Sequence, residues 1–111
     1  MNQGDIALAK IQRADGKLKL RPVLLLKQLK PFNNWLVCGI STQIHLIVEG
    51  KDELILESDN DFKESGLDST SIIRISFLAT IPVKIIPGTI GKISEKRYKK
   101  VINNIINLLE N

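Results

Sequence analysis

Cysteine, histidine and aromatic residues are scarce in this chain. Its 111 residues include one Cys, one His, one Trp, one Tyr and three Phe. A lone Cys38 cannot close an intrachain disulfide, nor build a cysteine-rich zinc site. A lone His45 excludes paired-histidine metal motifs, and no His-Glu motif or glycine-rich phosphate loop is present. No cofactor or metal is therefore expected. No apolar run approaches the roughly 20 residues that cross a bilayer as a helix. The opening Met1-Asn2-Gln3-Gly4-Asp5 is polar and does not resemble a signal peptide. A cytoplasmic protein with no membrane association is expected.

What is present fits one soluble globular domain spanning 1–111, with 43% apolar and 25% charged residues. The formal charge of +4 is unevenly spread. Lys10, Arg13, Lys17, Lys19 and Arg21 stand against one acid, Asp15. Seven acids crowd the span 49–64, and 84–100 is basic again. A basic loop can track a polyanion, although most charge runs are only solvated faces.

The chain is organised around Lys19-Leu20-Arg21-Pro22-Val23-Leu24-Leu25-Leu26. The bounded apolar run reads as a buried strand. Pro22 lacks a donor and suits its first residue, which sets Arg21 at the mouth of a rigid element. Arginine can grip a phosphate through two parallel hydrogen bonds; a solvated arginine at a strand end is the plainer reading. Before it, residues 4–11 read as a first strand, and Asp15-Gly16 as the turn of a hairpin.

After a Pro/Asn turn, residues 35–43 read as a third strand. Its period of two puts Leu36, Cys38, Ile40, Thr42 and Ile44 on one face, and Trp35, Val37, Ser41 and Gln43 on the other. Leu54-Ile55-Leu56 reads as an edge strand. Residues 59–64 read as a helical turn capped by Ser58 or Asp59 and ended by Gly66. In the strand 71–81, Ile73, Ile75, Phe77, Ala79 and Ile81 are expected on one face, and Ile72, Arg74, Ser76 and Leu78 on the other. Residues 85–93, with Pro87-Gly88 and Gly91, suggest a bent or bulged edge strand.

Ser94 then caps a helix. Tyr98, Val101, Ile102, Ile105, Ile106, Leu108 and Leu109 form its covering face; Lys96, Arg97, Lys99 and Lys100 mostly stay wet. Five or six short strands and one terminal helix predict a small, strongly curved antiparallel barrel.

Cys38 and His45 could pair as nucleophile and base by count alone. Cys38, however, lies mid-strand on an apolar face and reads as core. The remaining polar groups are Arg21, Ser41, Thr42, Ser71, Arg74 and Ser76. They can serve as ordinary sheet positions, or they can stabilise a pentavalent phosphorane. Arginines neutralise its charge, and hydroxyls orient its oxygens. RNA brings its own nucleophile, the 2′-OH.

Gly4-Asp5-Ile6, the Lys19–Leu26 stretch, Ile40-Ser41-Thr42-Gln43, Ser65-Gly66-Leu67 with Ser71-Ile72-Ile73-Arg74, and Ile90-Gly91-Lys92-Ile93-Ser94 occur in that order. In this the chain resembles the MazF/PemK toxins of type II toxin–antitoxin systems, and most of all the short PemK-like members. The resemblance implies a mainly β, SH3-like barrel with a C-terminal helix, in a homodimer. It implies a metal-independent endoribonuclease that cuts single-stranded RNA, mostly messenger RNA, through the 2′-OH. It also implies a cognate antitoxin partner that blocks the RNA groove.

By the same resemblance the catalytic pair is Arg21 and Ser41. Lys19, Thr42, Gln43, His45, Arg74 and Ser76 are candidates for RNA contact or support. Two positions depart from the family pattern. Ser41 replaces a threonine, and Ser76 stands where some members carry a carboxylate. An alternative on the same barrel is a toxin that binds a protein such as DNA gyrase, or a silent binding module.

Overall fold

The longest strands set the frame. In the computed structural model, which describes residues 1–12 and 14–111, they are β2 (Leu18–Leu29) and β5 (Ser71–Pro82). Arg13, counted above in the basic run, lies outside the described residues. The other strands are β1 (Asp5–Gln12), β3 (Asn34–Ser41), β4 (Glu53–Ile55) and β6 (Gly88–Lys92). All pair antiparallel in one sheet of order β4-β5-β3-β2-β1-β6, curled into a half-barrel as expected. A short helix α1 (Phe62–Ser65) precedes β5, and α2 (Glu95–Glu110) follows β6.

Alternation on β2 and β3 divides the core in two. Leu24, Leu26, Cys38 and Ile40 face one way, and with Ile6, Ile55, Ile73 and Ile75 they meet Val101 and Ile105 of α2. Val23, Leu25, Trp35 and Val37 face the other way, with Ala7, Ala9 and Ile86. The ladders shift at Ile6/Ala7, Leu25/Lys27 and Cys38/Gly39. Such breaks add twist, which suits a sheet that curls.

Several expectations need correction. Pro22 is not the first residue of its strand but the fifth. It sits beyond the last β2–β3 pair, Val23↔Gly39, where β2 has a neighbour only in β1 and a missing donor is tolerated. Ile44 does not extend the buried face, because β3 ends at Ser41 and Ile44 begins an exposed 3-10 turn.

The capping of α1 also differs. Neither Ser58 nor Asp59 caps it: its N-cap is Asp61, which makes no capping bond, and Asp59 accepts instead from Leu56 N–H. Gly66 does end the helix, at φ 73°, and any Cβ there would collide with the Ile90 carbonyl. Ser94 caps α2 as expected, accepting from Arg97 N–H at 3.2 Å.

The fourth correction is the largest. Cys38 pairs with Leu78, but Gly39 pairs with Arg74, so Ile75, Ser76 and Phe77 have no β3 partner. This bulge inverts the alternation of β5. Ile73, Ile75 and then Leu78 join the core under α2, while Ala79 and Ile81 join the opposite cluster. Phe77, expected beside Ile73 and Ile75, is thrown out to 46% exposure. Asp52 holds the bulge. Its buried carboxylate accepts from Ile75 N–H at 3.2 Å and from Val48 N–H at 3.0 Å.

The polar face of α2 also hides a surprise. Arg97, expected to stay wet, has a side chain only 12% exposed. Its guanidinium donates to Asp61 through two nitrogens, to Glu53, to Asp59 and to the Leu54 carbonyl, all at 2.8–3.0 Å. Ile106 and Leu109, expected on the covering face, are exposed instead.

Candidate nucleic-acid cleft

On the sheet face away from α2 one register row crosses three strands: Val23 on β2, Gly39 on β3, Arg74 on β5. Beyond that row β2 and β3 no longer pair. Continuing the register by two residues sets Arg21 across from Ser41. A cleft of about 460 Å³ opens here, large enough for a small organic ligand. Arg21 and Pro22 of β2, Gly39 and Ser41 of β3 with Gln43 just beyond it, and Arg74 of β5 line the cleft.

Local structure places each group. Arg21 pairs with Ala9 and lies on the same face as Val23 and Leu25, at the point where that apolar file runs out into solvent. Among the described residues no carboxylate lies within ion-pair distance of it. Ser41 ends β3 and makes a tight turn, its Oγ accepting from Gln43 N–H at 3.0 Å. That bond fixes the oxygen and leaves its proton free to donate. Arg74 is half-buried, and its Nε is shut off from solvent with no hydrogen-bond partner among the described residues. An unpaired buried donor of a cation costs about 1–3 kcal/mol or more. No acid is among the described residues that line the cleft.

Of the residues expected at the site, Arg21, Ser41, Gln43 and Arg74 come together in this cleft. Thr42 lines a smaller, more apolar cavity of about 220 Å³ next to it, which shares Pro22, Ile40 and Ser41 with the cleft. Lys19 lies on the same β2 face as Arg21, two residues away and exposed, and lines neither cavity. His45 sits exposed in the turn after β3, and Ser76 exposed on the β5 bulge; neither lines either cavity. Phe77 and Gly39 were missed. An ideal Cβ on Gly39 would lie 3.0 Å from the Phe77 ring, so glycine makes room for that ring at the cleft. The only sequence signal was Gly39 itself, an odd interruption of a strand.

Cys38, next to Gly39 but on the opposite face, is buried, and its thiol is pushed up to about 12 by that burial and by the charge of Asp52. It is no nucleophile, as its place in the strand had suggested. Among the described residues no helix is long and apolar enough to cross a membrane.

Comparison with known proteins agrees with this architecture. Among solved structures, a Mycobacterium tuberculosis toxin, MazF-mt6, superposes with a TM-score of 0.72 at 22% identity, covering 96% of each chain. At that identity the likeness shows the fold. No curated protein matches the chain in sequence. The family model of the PemK-like, MazF-like toxins of type II toxin–antitoxin systems matches residues 2–109, and to that family the chain belongs.

Proposed function

We propose that the chain is the toxin of a type II toxin–antitoxin pair. It would act in the cytoplasm as a homodimer that cuts single-stranded messenger RNA without a metal, until a cognate antitoxin covers its cleft. The observation that supports this best is the cleft itself. Two arginines share its lining with a serine whose oxygen is fixed and whose proton is free.

A scissile phosphate between Arg21, Ser41 and Arg74 would be attacked by its own ribose 2′-oxygen. The new bond to phosphorus forms as the bond to the 5′-oxygen breaks, leaving a 2′,3′-cyclic phosphate and a 5′-hydroxyl. Negative charge builds on the equatorial oxygens. Arg21 and Arg74 neutralise it, and the Ser41 hydroxyl donates to one of them. Arginine holds its proton too tightly to act as a base. The 2′-OH proton therefore leaves to water, and water protonates the departing 5′-oxygen. Serine in place of threonine keeps the donor, and the Gln43 N–H bond supplies the fixed orientation that a β-branch would otherwise give.

The test is purified protein with a long single-stranded RNA in EDTA, beside Arg21→Ala. Discrete fragments with cyclic-phosphate ends are expected from the wild type. Losing a charge donor of this kind lowers the rate by about 100-fold or more. Intact RNA at high concentrations of folded protein would refute the nuclease reading.

A further inference from the structure

We propose that Phe77 is a stacking platform for one base of the bound strand, next to the phosphate held between Arg21 and Arg74. The inference rests on the reading of the cleft as an RNA site and extends it to a recognition residue.

The observations concern one ring. Phe77 is 46% exposed although nothing in local sequence obliges it to be; its neighbours Ile73, Ile75, Ala79 and Ile81 all turn toward apolar clusters. The β5 bulge, held through Ile75 N–H by Asp52, inverts the alternation and delivers the ring to the cleft wall. Gly39 leaves the space the ring occupies. A half-exposed Phe forfeits part of the 1.5–3 kcal/mol that full burial gives, and a polar side chain would sit there without that loss.

What the cleft gains is a half-exposed aromatic ring in a lining shared with two arginines. Aromatic stacking with phosphate-binding cations is how proteins hold single-stranded nucleic acids, because every base has a face to stack. The remaining aromatics are elsewhere: Trp35 is buried in the core opposite α2, Phe62 of α1 and Tyr98 of α2 pack against the larger core, and Phe32 lies in the β2–β3 turn. Phe77 is thus the aromatic residue of this cleft.

The experiment first maps the cut made by the wild type on a long RNA. It then uses a fluorescent hexanucleotide of that sequence with 2′-O-methyl riboses, which cannot be cleaved. Sister oligonucleotides each lack one base. Affinity is measured by anisotropy for wild type, Phe77→Leu and Phe77→Trp over a range of salt.

Stacking predicts a 5- to 100-fold weaker Kd for Phe77→Leu, in the range of about 1–3 kcal/mol per stacked base, and recovery to within about threefold for Phe77→Trp. The salt slope stays that of the wild type, because no phosphate contact is lost, whereas Arg74→Ala lowers it by about 0.7. One base deletion costs the wild type as much as Phe77→Leu does and costs the Leu variant nothing further. A plug that merely fills space over Gly39 would be satisfied by Leu.

Wild-type affinity in Phe77→Leu, or full additivity with every base deletion, would overturn the platform while leaving the nuclease intact. Should Phe77→Leu prove unfolded by its urea midpoint, the base-deletion series on the wild type decides. No single base worth more than about threefold would refute stacking. A wild type that neither cuts nor binds RNA would overturn both readings.

Discussion

Replacing Asp52 by alanine tests whether the β5 bulge is held from outside the strand. The carboxylate is buried and accepts two backbone N–H groups, Ile75 at 3.2 Å and Val48 at 3.0 Å. Truncation leaves Ile75 N–H buried and unpaired, which costs about 1–3 kcal/mol. Val48 N–H is nearer solvent and can find water, so its loss is about 0.5–1.5 kcal/mol. The sum is roughly 2–4 kcal/mol out of the 5–15 kcal/mol that a domain of this size holds. Asp52→Asn keeps one acceptor and should lose about half as much.

Urea unfolding followed by far-ultraviolet circular dichroism reads the difference. RNA cleavage at a urea concentration where both proteins stay folded reads the site, because the bulge sets Phe77 and Arg74 in the cleft. Reduced stability with reduced cleavage is expected. An Asp52→Ala protein within about 0.5 kcal/mol of wild type would refute the reasoning, because surface changes of no consequence fall in that range.

The hub around Arg97 gives a second prediction. Arg97→Ala leaves the half-buried Asp61 without its cation and Glu53 with only the exposed Lys100, at 3.2 Å, and unfolding should become easier by about 3 kcal/mol in the same urea assay. A third concerns acid. The Arg97 guanidinium and the Ser94 N–H hold the Asp61 carboxyl well below the usual carboxylate range. Asp61 therefore stabilises the fold above about pH 4, and that contribution drains away as pH falls below it; an Asp61→Asn protein should show a flatter loss of stability between about pH 4 and pH 2. A fourth concerns Cys38, whose buried thiol lies near 12. A maleimide at pH 7 should label it only in denaturant, and rapid labelling of the native protein would contradict its burial.

The sequence shows the frame well, and the reasons are local. Apolar alternation on β3 separates Leu36, Cys38 and Ile40 from Trp35 and Val37, as the two clusters confirm. Asp15-Gly16, Gly66 and Ser94 mark turns and caps through their own chemistry. Arg21, Ser41 and Arg74, marked by their polar chemistry in apolar strands and by the family resemblance, line one cleft.

What stayed hidden depends on partners distant in the chain. The run Ile73-Ile75-Phe77-Ala79-Ile81 alternates without a break, and the group that takes up the freed Ile75 N–H at the bulge, Asp52, lies 23 residues earlier. Phe77 was misplaced for that reason alone. Arg97 was misread in the same way: a helix face shows its lysines and arginines but not which of them meets Glu53, Asp59 and Asp61 across the fold. The acidic crowding in 49–64 was the available hint that a buried cation would be needed.

The pairing of β1 with β6 brings together segments more than 75 residues apart, and α2 seals the larger core only after β6. At a synthesis rate of about 5–20 residues per second, β1 waits roughly 4–17 s for its outer neighbour. During that wait one edge of the β1–β2 hairpin is an open template for strand addition. Leu24 and Leu26 stand without the helix that later covers them. The chain is thus built so that its most adhesive surfaces are the oldest ones on the ribosome, and a nascent protein of this topology gains most from a partner that shields hydrophobic strands before its own last helix arrives.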